Sequence, residues 1–338
     1  MAIIQLMQHR ARWVFPKMVH FRIPMRRFYA VASSLALTYF LLLTSCASFS
    51  PLTVASHMWP GYEFIFYARQ QGWLPSEEIH IVETASASES LQDLLEGRVE
   101  AATLTLDEVL RGREQHLPLT IVLILDISAG ADVLLVQPGI TDLTQLKGKR
   151  IGVETSALGD LMLNRILGQA HLLANEVQVV PVTFDAQLAT WQAGKLDAVI
   201  SYEPLAHQLE ALGAERLFDS RQLPNTIFDV LAVRSDKLDQ HAQQVKQLIQ
   251  GHFRGLHAWK TNPIDSEYRF ARHLQVAAEE VPLLYRGLEL PDIDYNRRLL
   301  NAPAKELYNT ALEIQTMMKW SSNLDNLFTA DFLAEVTP

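Results

Sequence analysis

Two groups of side chains in this sequence could do chemistry. One is an isolated thiol, and the other is a set of hydroxyls, carboxylates and aromatics that recur at similar places. Cys46 is the only cysteine among 338 residues. No histidine or acid stands beside it in sequence to generate a thiolate, so catalysis is not its expected role. A lone cysteine also excludes an internal disulfide and a cysteine-based zinc site. The 11 histidines are dispersed. His257 follows His252 by five residues, off a common helical face, so neither a metal site nor a cofactor is expected. No G-x-G-x-x-G, P-loop, G-x-S-x-G or H-E-x-x-H segment occurs, and no catalytic residue is assigned.

What remains is non-covalent binding. The candidates are Trp59, Tyr62, Ser86, Ser88, Thr105, Asp107, Asp126, Ser128, Asp132, Glu154, Thr155, Ser156, Asp160, Tyr202 and Glu203. Hydroxyls at helix starts, with free N–H groups beside them, suit a sulfonate, nitrate or carboxylate. Acids and aromatics suit an amino group or an electron-poor ring, gripped by Glu203 or Asp107 and stacked on Trp59 or Tyr62. Each also has a purely structural reading. Ser88 and Ser156 stand where helix N-caps belong, and Trp59 beside Pro60-Gly61 can staple a helix. Asp107, Glu108 and Glu203 can favour helix dipoles, while Asp126, Asp132 and Asp229 can bond to crossing backbone.

The elements that must position these residues follow from hydrophobic patterning. Short apolar runs alternate with helical patterns from Leu52 onward, the signature of an α/β fold. Strands are expected at 52–56, 79–82 and 99–104, with helices at 63–71 and 89–96 closed by Gly72 and Gly97. The order returns about a hundred residues later, with strands at 150–153, 177–180 and 196–200 and helices at 158–170 and 185–192. Gly97-Arg98-Val99-Glu100-Ala101 even matches Gly194-Lys195-Leu196-Asp197-Ala198 residue by residue. This predicts two lobes of similar topology, each with a mostly parallel sheet. Further strands at 119–125 and 133–136, and the return at 230–233, supply two hinge strands. Lobe 1 is therefore expected to span 52–135 plus 232–338, and lobe 2 to span 136–231. After Asp236 the pattern is helical, at 245–259, 267–273 and 304–318. Ligands of open parallel sheets bind beyond the carboxyl ends of the strands. That rule selects the loops 57–62, 86–90, 105–108, 126–132, 154–160 and 201–204, which hold the candidates above.

The net charge of −9, with no basic cluster after residue 50, argues against a nucleic-acid partner. The N-terminus differs. Arg10, Arg12, Lys17, Arg22, Arg26 and Arg27 precede any acid, and Phe28 to Leu43 is an apolar stretch of signal-peptide length. Met25-Arg26-Arg27 is a better start than Met1. The stretch ends in Leu43-Thr44-Ser45-Cys46, which resembles the bacterial lipobox. That resemblance implies a signal peptide over 1–45, lipidation of Cys46, a tether over 46–51, and a membrane-anchored lipoprotein in the periplasm or on the cell surface.

Four segments taken in order carry a wider resemblance, over residues 52 to 330. They are Trp59-Pro-Gly-Tyr62, Asp142-Leu-Thr-Gln-Leu-Lys-Gly-Lys-Arg-Ile-Gly-Val153, Ala193-Gly-Lys-Leu-Asp-Ala198 and Tyr202-Glu-Pro204. The chain resembles the substrate-binding proteins of ABC importers, in the nitrate/sulfonate/taurine and thiamine-pyrimidine family. The resemblance implies a type II periplasmic binding protein fold, whose two lobes close on a small ligand by hinge motion and present it to a permease and its ATPase. Carried over by position, the ligand-binding residues are Trp59, Tyr62, Ser86, Thr105, Asp107, Thr155, Ser156 and Glu203. The implied ligand is sulfonate- or taurine-like, or aminopyrimidine-like, and a monomer is expected. Two alternatives share the fold: a sensing module for a membrane signalling partner, and a pyrimidine-synthase-like enzyme. The latter group resembles one another in a cysteine-rich motif that this chain lacks.

Overall fold

The computed structural model describes residues 50–301 and 305–336. Cys46, the signal segment and Met25 lie outside the described residues. The chain opens with β1 (Leu52–His57), a 3-10 turn at Pro60–Tyr62, α1 (Glu63–Gln70), β2 (Ile79–Thr84), α2 (Ala87–Leu95), β3 (Ala101–Thr105), α3 (Leu106–Glu114) and β4 (Leu119–Ser128). It continues through β5 (Asp132–Val136), β6 (Arg150–Val153), α4 (Ala157–Ala170), β7 (Gln178–Pro181), α5 (Phe184–Gln192), β8 (Ala198–Tyr202), α6 (Leu205–Ala211), β9 (Glu215–Asp219) and β10 (Phe228–Arg234). The last third holds α7 (Ala242–Thr261), α8 (Pro263–Leu274), α9 (Val281–Leu284), β11 (Leu288–Glu289), α10 (Ile293–Leu300) and α11 (Lys305–Met318).

Two sheets result, in the orders β11-β4-β10-β3-β1-β2 and β7-β6-β8-β5-β9. The expected parallel strands make one part of each: β2, β1 and β3 in lobe 1, β7, β6 and β8 in lobe 2. The strands flanking each crossing join antiparallel, so both sheets are mixed. Strands β3, β4, β5 and β8 are buried along their whole length. This explains why they read as continuous apolar runs without alternation.

The internal repeat is physical. In lobe 1, Glu100 Oε2 accepts the Thr53 N–H at 2.9 Å, and in lobe 2, Asp197 Oδ2 accepts the Arg150 N–H at 2.8 Å. Each acid thus ties the strand it precedes to a partner strand 47 residues upstream. Gly97 and Gly194, both at positive φ, end the preceding helices in the same way.

The structure moves the lobe boundaries. All of β5 pairs inside the lobe 2 sheet, and all of β10 pairs inside the lobe 1 sheet. The expected cuts at 135/136 and 231/232 therefore fall inside strands. The chain crosses instead at 129–131 and 223–227, because sheet membership depends on which neighbours pair, which an apolar run does not encode. Six elements had no expectation: α3, α6, β9, α9, β11 and α10. Strand pairing also persists late, since β11 adds to the edge of β4.

The helical third packs on lobe 1. One buried contact there shapes the site. Register shifts between β10 and β4 place Leu125 outside the ladder, and Asn296 of α10 repairs the gap. Its Oδ1 accepts the Ile124 N–H at 2.7 Å, and its Nδ2 donates to the Ile124 carbonyl at 3.0 Å.

Candidate functional site

Strand β10 runs between β3 and β4, and its Asp229 is the cross-strand partner of Thr105 on one side and Asp126 on the other. In lobe 2, Asp132 of β5 is the partner of Tyr202 of β8. These are one arrangement made twice. Thr105 and Tyr202 are 97 positions apart in sequence, and so are Asp132 and Asp229, His57 and Glu154, and Trp59 and Ser156. All eight, with Ala87 and Leu158, line a narrow cavity of about 20 Å³ between the lobes. That volume holds about one water, so the lobes stand closed on each other and an organic ligand requires them to part.

The acids here are pushed toward their neutral forms. Burial is the main cause for Asp132 and for Glu154, each raised to about 7, and for Asp107, raised to about 8. Asp126 and Asp229 are both fully buried, and repulsion from Asp126 adds to the upward shift of Asp229. Two aromatic donors meet this pair. The Trp59 indole N–H donates to Asp126 Oδ2 at 3.0 Å, and the Tyr62 hydroxyl donates to Asp229 Oδ1 at 2.5 Å. His57 is held neutral by burial, with its pKa lowered to about 4, and its Nδ1 has no hydrogen-bond partner. Tyr202 stacks on Phe184 at 4.4 Å, meets the Trp59 ring edgewise at 5.8 Å, and donates to Glu154 Oε2 at 3.4 Å.

Gly61 makes the Trp59–Asp126 contact possible. A Cβ there would lie 1.6 Å from Asp126 Oδ2. The Trp-Pro-Gly-Tyr turn is thus a device that brings one acid under an indole: Pro60 starts the 3-10 turn, and its carbonyl accepts the Tyr285 hydroxyl at 2.7 Å.

Of the eight expected ligand-binding residues, the structure brings Trp59, Thr105 and Ser156 to the cavity wall. Tyr62 and Asp107 are fully buried behind it. Ser86 is half-buried and caps α2 by accepting the Glu89 N–H at 3.2 Å, while Thr155 is exposed. Glu203 is the correction. Its Oε2 accepts the His207 N–H at 3.0 Å and its Oε1 faces Arg216 at 3.5 Å, which turns it to a separate cavity of about 260 Å³ lined by Arg216, Arg221 and Arg286. Three wall residues rank above expectation: Asp132, Glu154 and Asp229. The signal for them was present, since each is the repeat mate of another wall residue.

Larger hollows lie elsewhere, such as one of about 370 Å³ along Arg113, Glu114 and Asn323. There Arg113 already donates to the Asn323 and Asp325 carbonyls, so its charge is spent on loop backbone. Among the described residues no group of three or more His, Cys, Asp or Glu could hold a metal ion, and no helix is long and apolar enough to cross a membrane.

Comparison with known proteins places this geometry in context. Residues 59–266 match the family model described as NMT1/THI5 like, and the chain belongs to that family. It is 25% identical over 211 residues to the taurine-binding periplasmic protein of Escherichia coli K12, an alignment covering 60% of this chain and 66% of that relative, a little under two thirds of its length. Among solved structures it resembles the aliphatic sulphonate binding protein SsuA of Escherichia coli, with a TM-score of 0.66 and 18% identity over 82% of this chain and 96% of that one. It also resembles the desulfurization enzyme DSZB, with a TM-score of 0.59 and 18% identity over 83% and 97%. These likenesses establish a two-lobed periplasmic binding protein fold.

Two outcomes follow from the site. Gly61→Ala will displace Asp126 from the Trp59 indole, destabilising the protein by about 1–3 kcal/mol in urea titrations, the usual cost of breaking a buried hydrogen bond; an unchanged midpoint would contradict the contact. Stability will also fall with rising pH. Acids whose folded pKa is raised stabilise the folded state below their unfolded pKa, and that contribution is lost as pH climbs through about 7 to 8 for Asp132, Glu154 and Asp107. His57, lowered to about 4, acts oppositely but only below about pH 6.5. The unfolding free energy will therefore decline from about pH 4 to about pH 8, by up to about 1.4 kcal/mol per pH unit for each proton that only the folded state retains, and level off above, with a shallower slope in Asp132→Asn. A flat or rising profile would refute the buried acids.

Proposed function

We propose that this member of the NMT1/THI5-like family is the extracytoplasmic solute-binding component of an ABC importer, and that its ligand is a small organic molecule carrying an amino or amidine-like cation. The observation that carries the ligand class is the cavity wall. It holds three carboxylates, Asp132, Glu154 and Asp229, and no lysine or arginine. Burying carboxylates at the closing surface of two lobes is costly unless a cation or donor joins them. Trp59 and Tyr202, edge to face, supply the aromatic walls that suit a flat, electron-poor ring. This favours the aminopyrimidine-like arm of the family's ligand range. The second reading, a sulfonate, draws support from the names of the taurine- and sulphonate-binding relatives.

Chemistry is not proposed. The resemblance to a desulfurization enzyme shows that the fold admits catalysis, but the wall residues offer no thiol, and His57 is paired with no nucleophile. A sensory role would use the same cleft and differ only in the membrane partner. We place the protein on the periplasmic or outer surface, tethered as a monomer through lipidated Cys46 and engaging permease and ATPase subunits; Leu43-Thr44-Ser45-Cys46 supports the anchor.

Ligand released from natively purified protein and identified by mass spectrometry will contain a protonatable nitrogen. In calorimetry, aminopyrimidines will bind in preference to taurine or alkanesulfonates, and Asp132→Asn will weaken a cationic ligand by at least tenfold, about 1.4 kcal/mol. Affinity for a quaternary ammonium compound will rise with pH through about 7, because Asp132 and Glu154 must ionise to grip it. Tighter binding of a sulfonate without nitrogen would overturn the ligand class. Metabolic labelling with a fatty-acid probe will mark the protein and disappear in Cys46→Ser; persistence of the label would remove the anchor.

A further inference from the structure

The first turn of α4 is where lobe 2 meets lobe 1, and its Ala157 and Gly159 N–H groups are occupied from within the chain. Ser156 Oγ accepts the Gly159 N–H at 2.9 Å. The Ala157 N–H points across the cleft, where Glu108 Oε1 of lobe 1 accepts it at 2.7 Å. Glu108 stands in the first turn of α3 and is fully buried. Its charged neighbours are Arg111, one turn further along α3, and the acids Asp107, Asp160 and Glu154; burial raises its pKa, and the Ala157 N–H and Arg111 oppose that rise by favouring the carboxylate. Ser88, at the start of α2, donates its hydroxyl to the Thr155 carbonyl across the same junction at 3.4 Å. Other bridges between the lobes are looser and partly exposed, such as Arg165 to Glu313 and His207 to Glu280, both at 3.6 Å.

A carboxylate seated on the N-terminus of a 14-residue helix makes the interaction that a bound anion would otherwise make there. The seat adjoins the ligand cavity, because Ser156, the residue before Ala157, lines it. The repeat shows that Glu108 is a feature of this junction alone. The position 97 residues on is Leu205, an apolar residue at the start of α6, so lobe 2 returns no such arm. An anionic solute approaching α4 would have to expel a buried carboxylate or lie against it, and both are unfavourable in a water-poor cleft.

We propose that Glu108 is a specificity-determining residue: an internal anion, delivered by lobe 1 to the N-terminus of α4 on closure, that lets the lobes shut without an anionic solute and excludes sulfonate- and carboxylate-type ligands from that end of the cleft. This inference rests on the interlobe cleft being the ligand site and narrows what it accepts. It is independent of which amine binds.

The test uses the full chain with Glu108→Ala and Glu108→Ser, and three anions as probes: formate, sulfate and methanesulfonate. Small-angle scattering reads lobe closure, and thermal shift reads anion binding. Wild-type protein will be compact and indifferent to the anions. Both variants will have a larger radius of gyration, and each anion that fits will re-compact them, with at least tenfold tighter apparent binding than to wild type. A generic packing defect would not be repaired by added anions. Variants as compact as wild type and deaf to anions would overturn the proposal, and so would wild type binding methanesulfonate as tightly as the variants. Should both variants fail to fold, the anions are added during refolding, and lack of recovery counts against it equally. Titrating amines into wild-type protein examines the ligand class separately, so either idea can fail alone.

Discussion

The constraint on which the rest of this structure depends is the burial of acids where two lobes meet. Asp126, Asp132 and Asp229 are almost wholly removed from solvent, and no lysine or arginine lines the cavity between them. Such groups survive in a fold only with donors, protons or a cation to hold them. Donors account for part of the answer: the indole of Trp59 takes Asp126 and the hydroxyl of Tyr62 takes Asp229. Protons account for more, since the acids are shifted toward neutrality. Near neutral pH these donors and protons offset part of the cost of bringing the acids together.

Gene duplication within a fold normally leaves a trace in topology, and here the trace reaches individual wall residues. A position and its mate 97 residues later face each other across the cleft four times over. The mates are not alike in chemistry. His57 answers Glu154, Trp59 answers Ser156, and Thr105 answers Tyr202. Only Asp132 and Asp229 keep the same residue, each placed by cross-strand pairing with the end of a parallel strand. Equal backbones have thus supplied equal anchor points, while the side chains on them have diverged, each lobe contributing one large aromatic, Trp59 or Tyr202, among polar groups.

Much of this was legible in the sequence. The glycine-acid match at 97–101 and 194–198 revealed the repeat, and the structure shows why it is there: Glu100 ties β1 to β3 and Asp197 ties β6 to β8, the corresponding pairs of the two lobes. The strand-end rule chose the loops that meet at the interlobe cavity, because helix N-termini and strand C-termini must converge at one edge of a βα unit. It did not resolve direction within a loop. Tyr202 and Glu203 are adjacent, and adjacent side chains at a strand end point to opposite sides. Tyr202 therefore enters the cleft while Glu203 turns to α6 and Arg216. The hinge boundaries failed for a related reason. A buried crossing strand is apolar whichever sheet it joins, so the runs around 133–136 and 230–233 carry no mark of ownership. The bulge at Leu125, which the Asn296 amide bridges, lay beyond reach altogether, since it joins residues 172 apart.

The same fold hosts a desulfurization enzyme and binding proteins, so architecture alone does not decide between turnover and capture. The decision lies in what the wall can do to a bound molecule. His57 is held neutral by burial, and the acids beside it are pushed toward their neutral forms. What the wall can do is exchange one positive charge for another. On the proposed reading, a cation entering the cleft would take the place of protons on Asp132 and Glu154, and its binding would be coupled to their release. The free energy of capture is then set by the difference between holding a proton and holding the ligand.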